Sequence, residues 1–297
     1  MKKTFLIGIG AQKAGTTWAH NYLKSHPECA AGIVKELSVL TSYFSGRQGV
    51  DVRILHKIKK LEEELERYAL RIKSGKPMPR ADKKLMYAID YLAADHDLKY
   101  YLSYFKRLLE DNPDAKIVSD ITPAYSTLST ENLKETRDIL EAEGYQPKAF
   151  FLMRDPVERC YSAVRMDARN KAKAGQSDSQ GPNERFLEIA LANWSQVRTR
   201  YEDIVPKIEN AFGAENCLFG FYETFISEQG VRSLCDFLDI SFADPRLDFK
   251  SNVSPRSVEP DPADWEKVRQ AYSATYAFCA DKFGADVVSQ AWPGFKA

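Results

Sequence analysis

The first 27 residues contain the pattern that most constrains the fold. Residues 4–10, TFLIGIG, form a short apolar run that ends in glycine, as a buried β-strand does. From Gly15 to His26 large apolar side chains recur with helical spacing, and Pro27 ends the helix. A buried strand that leads through a glycine loop into a helix is the repeating unit of parallel α/β sheets. We therefore expect the chain to begin with such a unit.

The same alternation of apolar strands and helical patterns continues along the chain. It predicts an α/β fold with a central parallel sheet and helices on both faces, a three-layer α/β/α arrangement. Such sheets bind ligands at the carboxyl ends of their strands. The predicted strands cover residues 4–10, 29–34, 115–120, 148–154 and 216–225. Besides the first helix, the predicted helices cover residues 51–73, 97–109, 130–143, 156–173, a stretch ending near 239, and 264–283. Residues 184–212 predict a long helix or a helix pair.

Size and composition predict one domain. The chain has 297 residues, of which 44% are hydrophobic, and this is enough for one large core. We expect a single domain over residues 1–297, in which residues 51–110 form a mostly helical insertion. Residues 249–262 contain three prolines and predict a loop.

Charge and cysteine content argue against several classes of protein. Lys+Arg and Asp+Glu are equal at 42 each, so the composition gives no reason to expect a nucleic-acid partner. No segment approaches the roughly 18 to 20 apolar residues of a membrane span. Five scattered cysteines without a C-x-x-C spacing predict neither a disulfide framework nor a metal site. They are typical of reduced thiols in a cytoplasmic protein.

The loop after the first strand predicts an anion-binding site. Gly10 and Gly15 allow the backbone to turn its N–H groups inward, and the following helix N-terminus adds partial positive charge. Thr16 and Thr17 supply hydroxyl groups, and Lys13 supplies a full charge. The spacing is P-loop-like, but Thr16 occupies the lysine position of the G-x-x-x-x-G-K-[ST] pattern. An ATP site and an ordinary strand–helix turn both remain alternatives.

A second candidate anion site follows the strand at 148–154. That strand ends at Arg154, and Ser162 lies eight residues later, about two helical turns away. Asp155 and Pro156 are typical of a helix start, as cap and first residue. Both Arg154 and Ser162 could therefore reach one phosphate from the same side. The alternatives are an arginine paired with a neighbouring carboxylate and a serine exposed to solvent.

Together the two segments resemble a known family. QKAGTTW (12–18) is similar to the 5′-phosphosulfate-binding loop of the sulfotransferases that use 3′-phosphoadenosine-5′-phosphosulfate (PAPS), and FFLMRDPVERCYSAV (150–164) is similar to their 3′-phosphate-binding segment. The resemblance extends over residues 5–257 and is closest to the carbohydrate, heparan-sulfate-type branch in a bacterial-like form. SDITPAYS (119–126) and FGFYETF (219–225) are weaker matches.

The resemblance implies specific donor contacts. Arg154 and Ser162 would hold the 3′-phosphate. The 249–262 loop would cover it as a lid, with Arg256 as a further ligand. PAPS would be the donor, 3′-phosphoadenosine-5′-phosphate (PAP) the product, and no metal would be required. The residues implied at the 5′-phosphosulfate are Lys13, Ala14, Gly15, Thr16, Thr17 and Trp18.

The resemblance also implies the catalytic groups. Glu36 would be the general base for an acceptor hydroxyl, and Lys13 would neutralise the leaving phosphate. The acceptor would be a small molecule, possibly a carbohydrate. The chain departs from the carbohydrate branch after Glu36, where residues 38–41 read SVLT instead of a histidine, an aromatic pair and an aspartate. Glu36 could instead be a surface carboxylate paired with Lys35.

Two rival functions remain open. A nucleotide kinase or NTPase is suggested by KIVSD, an apolar strand that ends at a potential metal-binding residue, Asp120. A non-catalytic binding protein is suggested by the highly charged helix at 51–73. Tyr43 and Tyr125 could shape an acceptor pocket, although aromatic residues at such positions more often belong to the core.

Overall fold

The structure is a computed structural model. It describes residues 2–32, 34–45, 52–75, 82–94, 96–173, 175, 181, 183–245, 260–292 and 294–295.

A five-stranded parallel sheet forms the centre of the molecule, which confirms the predicted α/β class. Its strand order is β2-β3-β1-β4-β5, so β1 lies in the middle, paired with both β3 and β4. The strands are β1 (Thr4–Gly10), β2 (Cys29–Ala31), β3 (Ile117–Ile121), β4 (Gln146–Met153) and β5 (Cys217–Phe221). Every residue of β1 and β3 is buried, as expected for interior strands of a parallel sheet covered on both faces.

Helices lie between and after the strands. In chain order they are α1 (Thr16–Ser25), α2 (Val39–Phe44), α3 (Val52–Lys73), α4 (Lys83–Ala93), α5 (Leu98–Asp111), α6 (Thr130–Ala142), α7 (Pro156–Lys173), α8 (Phe186–Leu191), α9 (Asn193–Gln196), α10 (Tyr201–Phe212), α11 (Tyr222–Phe225), α12 (Glu228–Leu238), α13 (Pro262–Ala271), α14 (Ser273–Phe283) and α15 (Ala285–Ala291). Short 3₁₀ turns occupy Pro123–Thr127 and Ala214–Asn216.

The helices cover the sheet in two layers. On one face, Phe5 of β1 packs edge-on against Phe105 of α5, with ring centroids 4.5 Å apart. On the same face, Phe151 of β4 packs against Tyr201 of α10. On the other face, α1 and α12 are joined by a 3.2 Å hydrogen bond between the Tyr22 hydroxyl and the Cys235 thiol. The predicted three-layer arrangement is therefore present.

Several element boundaries differ from the predicted ones. The predicted strand at 29–34 ends at Ala31, and the last four residues of the predicted strand at 216–225 form α11. The helix or helix pair predicted at 184–212 is three helices, because Ala192 adopts an extended conformation between α8 and α9 and a further turn precedes α10. The helix predicted at 264–283 is broken at Tyr272.

The region predicted as a helical insertion contains α3, α4 and α5. Helix α4 was not predicted; it begins at Asp82, whose side chain accepts a hydrogen bond from the Leu85 N–H. Helix α5 forms part of the core through Phe105, and α4 packs against both α3 and α5. The single-domain boundaries stay a prediction. Most of the predicted lid at 249–262 lies outside the described residues.

Candidate functional site

The loop between β1 and α1 has the conformation that its glycines allow. Gly15 has φ +80°, and a Cβ placed there would lie 2.6 Å from the ring of Tyr222. At Gly10 a Cβ would lie 2.8 Å from the ring of Phe151. Lys13 also has a positive φ, of 72°. Both glycines are therefore required by close contacts, and they place the loop over the carboxyl ends of β1 and β4.

The N-terminus of α1 is open to an anion. Gly15 precedes the helix and has no side chain that could cap its first N–H groups. Thr16 and Thr17 form the first turn, which also has no acidic residue. Such a terminus binds phosphate groups through its amides and partial charge. The arrangement fits the predicted 5′-phosphate cradle.

Ala14 and Trp18 are placed differently from the other residues of the loop. Ala14 is fully buried, and Trp18 is 7% exposed and stacks on Tyr22 with ring centroids 5.8 Å apart. Their side chains therefore belong to the packing beneath the loop. Contact between Ala14 and a donor would have to use its backbone.

Lys13 extends from the loop toward the middle of α7. Its ammonium Nζ donates to the Met166 sulfur over 3.7 Å, and a thioether is a weak acceptor. Partial burial and, after it, the charges of Arg169, Arg154 and Arg165 together lower the pKa of Lys13 to about 8, whereas the charge of Glu36 acts to raise it. Lys13 thus lies in a strongly cationic environment, which an anionic ligand would relieve.

Arg154 joins the two candidate phosphate segments. Its Nη1 donates to the Lys13 carbonyl at 3.1 Å, and its Nη2 forms a 3.0 Å ion pair with Glu158. The guanidinium also lies 5.1 Å above the ring of Tyr222. Its Nε is buried and has no hydrogen-bond partner among the described residues. The pairing with Glu158 was one predicted alternative, yet the same side chain still reaches the loop.

The start of α7 positions Arg154 and Ser162 relative to each other. The Asp155 carboxylate accepts hydrogen bonds from the N–H groups of Val157 and Glu158, at 2.9 and 3.0 Å, which confirms it as the cap of the helix. The hydroxyl of Tyr276 donates to the same carboxylate at 3.0 Å. Ser162 is 9% exposed and lies two turns along α7.

Glu36 lies in the short segment between β2 and α2. It has φ +62° and a side chain that is 52% exposed, and it forms an ion pair with Lys35. The predicted pairing with Lys35 is therefore present. The charge of Glu36 nevertheless acts to raise the pKa of Lys13, so the carboxylate lies within electrostatic range of the loop lysine.

Asp120 is enclosed at the end of β3. Its carboxylate accepts hydrogen bonds from Thr122, Tyr125 and Tyr101, at 2.7, 2.6 and 2.9 Å. Burial raises its pKa. All these partners are protein hydroxyls, so the environment of Asp120 does not resemble a metal site. Tyr125 is fully buried and belongs to the core, whereas Tyr43 is 46% exposed.

The structure adds residues that the motifs did not identify. Tyr222 contacts both the loop and Arg154, and the weak match FGFYETF was the only signal for it. Arg165 and Arg169 act on Lys13 from α7; their positions three and seven residues after Ser162 could have revealed them. Arg256 lies outside the described residues.

The described part of the chain lacks a metal-binding cluster and a membrane-spanning helix. It contains no group of three or more His, Cys, Asp or Glu side chains that could hold a metal ion. None of its helices combines the length and apolar character needed to cross a membrane.

Comparisons with known proteins agree with this architecture. A sulfotransferase from Alicyclobacillus acidocaldarius, known from a crystal structure, is similar at 18% identity and a TM-score of 0.57, with 95% of each chain covered. The sulfotransferase domain from the curacin biosynthetic pathway is 16% identical, with a TM-score of 0.46 and coverage of 92% of this chain and 97% of that chain. No curated protein sequence matches the chain.

A match to a family model assigns the chain to a protein family, which similarity of fold alone does not do. The model described as "Sulfotransferase family" matches residues 6–244, more than half of the chain and both candidate phosphate segments. These comparisons do not identify the carbohydrate branch, which stays a prediction. The chain belongs to the sulfotransferase family.

Proposed function

We propose that this chain transfers a sulfuryl group from PAPS to an acceptor hydroxyl, with PAP as the other product. The observation that carries the proposal is the 3.1 Å hydrogen bond from Arg154 to the Lys13 carbonyl. It brings the two phosphate-binding segments of the family pattern to one edge of the sheet. A donor with phosphate groups at both its 5′ and 3′ positions could contact both segments.

The residues present fit such a donor. The open N-terminus of α1, with Thr16 and Thr17, suits the 5′-phosphosulfate. The unpartnered Nε of Arg154 and the hydroxyl of Ser162 suit the 3′-phosphate. Lys13 has only a thioether as its hydrogen-bond acceptor among the described residues, and this leaves its charge for the donor.

The chemistry requires charge stabilisation and one proton transfer. Negative charge develops on the oxygen that bridges sulfur and the 5′-phosphate, and the Lys13 ammonium would stabilise it. The acceptor hydroxyl loses its proton as its oxygen bonds to sulfur, and the half-exposed Glu36 carboxylate would accept that proton. The transferred group carries less charge than a phosphoryl group, so the proposal includes no metal.

The class of acceptor and the cellular location are proposed less specifically than the donor. We propose that the acceptor is a small molecule or a carbohydrate and that the protein is cytoplasmic. Arg256 would add a contact to the 3′-phosphate. The rival kinase function lost its main support when Asp120 proved to be enclosed by three hydroxyl groups.

Ligand-dependent thermal stability tests the donor. Because a ligand that binds only the folded state raises the unfolding temperature, PAP should stabilise the protein and ATP with Mg²⁺ should not. Stabilisation by ATP with Mg²⁺ alone would favour the kinase function. Transfer from labelled PAPS to a panel of sugars, lipids and phenols then tests catalysis. Lys13→Ala should lower the rate by roughly 10²- to 10³-fold, as loss of a transition-state donor does. PAP binding without transfer to any acceptor would favour a non-catalytic protein.

A further inference from the structure

One face of α7 carries cations beyond the predicted donor site. Arg165 and Met166 follow Ser162 by three and four residues, and Arg169 follows them by four and three, so each of the two lies on the same side of the helix as Ser162 and Arg169. Arg165 and Arg169 are both half-buried, so solvent still reaches them. This face extends from Ser162, the predicted 3′-phosphate contact, toward the C-terminus of α7.

The contacts of Lys13 show that this face borders the reacting centre. Lys13 Nζ lies 3.7 Å from the sulfur of Met166, which sits between the two arginines in the sequence. The guanidinium of Arg165 lies 4.8 Å above the ring of Tyr161, which holds it along the helix. A group that reaches the Lys13 ammonium therefore also approaches this part of α7.

The electrostatic influences on Lys13 agree with that geometry. Among the charges that lower its pKa, Arg169 has the largest effect, ahead of Arg154 and Arg165. Glu36 acts on the same ammonium with the opposite sign. An acceptor placed between Glu36 and Lys13 would consequently feel the charge of Arg169.

The donor does not account for both arginines. Its anionic groups are assigned to the loop and to Arg154 with Ser162. Arg169 follows Ser162 by seven residues, so their backbone positions are about 10 Å apart along the helix axis. One phosphate group is too small to contact the helix backbone at both positions.

We propose that Arg169, assisted by Arg165, binds a negatively charged group of the acceptor, so that the acceptor substrate is an anionic hydroxyl compound. The inference rests on the proposed function, because it places the acceptor between Glu36 and Lys13. It goes beyond that function by naming the charge of the acceptor and the residues that select it. A carboxylate, sulfate or phosphate would provide the same recognition chemistry.

Matched acceptor pairs test the proposal. The probes are glucuronate with glucuronamide, and 4-hydroxyphenylacetate with its amide, bound to protein saturated with PAP and measured by calorimetry. In at least one pair the carboxylate should bind about tenfold more tightly, the effect of one charge-assisted hydrogen bond. Arg169→Gln should remove that preference. Lys171→Gln, which removes a charge from the same helix, should retain it.

Measurements of PAP binding distinguish a wrong acceptor assignment from a wrong proposed function. Arg169→Gln should leave the affinity for PAP unchanged, and with PAPS it should raise the KM of an anionic acceptor more than it lowers kcat. If no carboxylate binds more tightly than its amide, or if Arg169→Gln weakens PAP itself about tenfold, the assignment to the acceptor is wrong. Failure of wild-type protein to bind PAP would instead overturn the proposed function.

Discussion

The Nη1 atom of Arg154 donates a hydrogen bond to the carbonyl oxygen of Lys13 at 3.1 Å, although 141 positions separate the two residues. The hydroxyl of Tyr201 donates to the Arg154 carbonyl at 2.8 Å and so holds the backbone from the other side. The loop after β1 and the end of β4 are thereby fixed relative to each other. A ligand that contacts both would meet a preorganised site, which lowers the entropy cost of binding.

Replacing Arg154 should weaken donor binding. Arg154→Lys keeps the charge but loses the planar fork that contacts Lys13 and Glu158 together. We expect the Kd for PAP to rise by roughly 10- to 100-fold, since a hydrogen bond to a charged group contributes about 1.5–3 kcal/mol. Isothermal titration calorimetry measures this, with Arg137→Lys, far from the loop, as control. Equal affinity in Arg154→Lys and wild type would show that the fork is dispensable.

Donor binding should depend on pH through Lys13. The pKa of about 8 means that roughly half of these side chains are neutral at pH 8 in the free protein. A bound anion favours the protonated form, so the Kd for PAP should increase as pH rises from 7 to 9. At pH 8 binding should take up about half a proton, seen as a dependence of the calorimetric heat on buffer ionisation enthalpy. Lys13→Met should lose this uptake; if it persists unchanged, another group titrates.

Glu36→Gln should affect chemistry and not donor affinity. The substitution keeps the shape of the side chain but cannot accept a proton, and general-base catalysis typically contributes about 10²- to 10⁴-fold. Single-turnover transfer from PAPS should slow by that amount, whereas the Kd for PAP should stay close to wild type. Glu63→Gln, on the exposed part of α3, is the matched control. A wild-type rate in Glu36→Gln would remove Glu36 as the base.

Gly15→Ala should weaken PAP binding in addition to the loss of stability that its backbone strain causes. Alanine at φ +80° is strained by about 1–2 kcal/mol, and its Cβ would also lie 2.6 Å from Tyr222. Gly144 has a similar φ of 85° with nothing within 4 Å, so Gly144→Ala reports the strain alone. We expect both variants to unfold more easily in urea, but only Gly15→Ala to bind PAP more weakly. Equal PAP affinity in the two variants would contradict the role of the Tyr222 contact.

Asp120→Asn should destabilise the fold without a direct effect on the donor. Three hydroxyl groups donate to the Asp120 carboxylate, and an amide nitrogen in its place would face donors instead of an acceptor. We expect the free energy of unfolding to fall by roughly 1–3 kcal/mol, the cost of buried groups left unsatisfied. Asp138→Asn, on the exposed surface, should change it little. If the wild-type protein binds ATP with Mg²⁺, and Asp120→Asn loses that binding while keeping normal stability, the kinase function would be supported.

Local pattern was sufficient for the elements that combine strong apolar runs with turn chemistry. β1 was predicted to the residue, and α7 was predicted to begin at Pro156 with Asp155 as its cap, as observed. The boundaries near 192 and 272 were missed because both breaks occur inside stretches of continuous helical pattern. Such breaks are set by how the flanking helices pack, and single-sequence periodicity does not contain that information.

Residues close together in the chain were enough to predict the parallel α/β class and the family, and to suggest the two candidate phosphate segments around Lys13 and Arg154. Only the tertiary structure decided which distant side chains surround them. It placed Tyr222 against both Gly15 and Arg154, Met166 beside Lys13, and Asp120 inside the core. The physical reason is that parallel strands bring their carboxyl ends to one edge, where loops far apart in sequence meet.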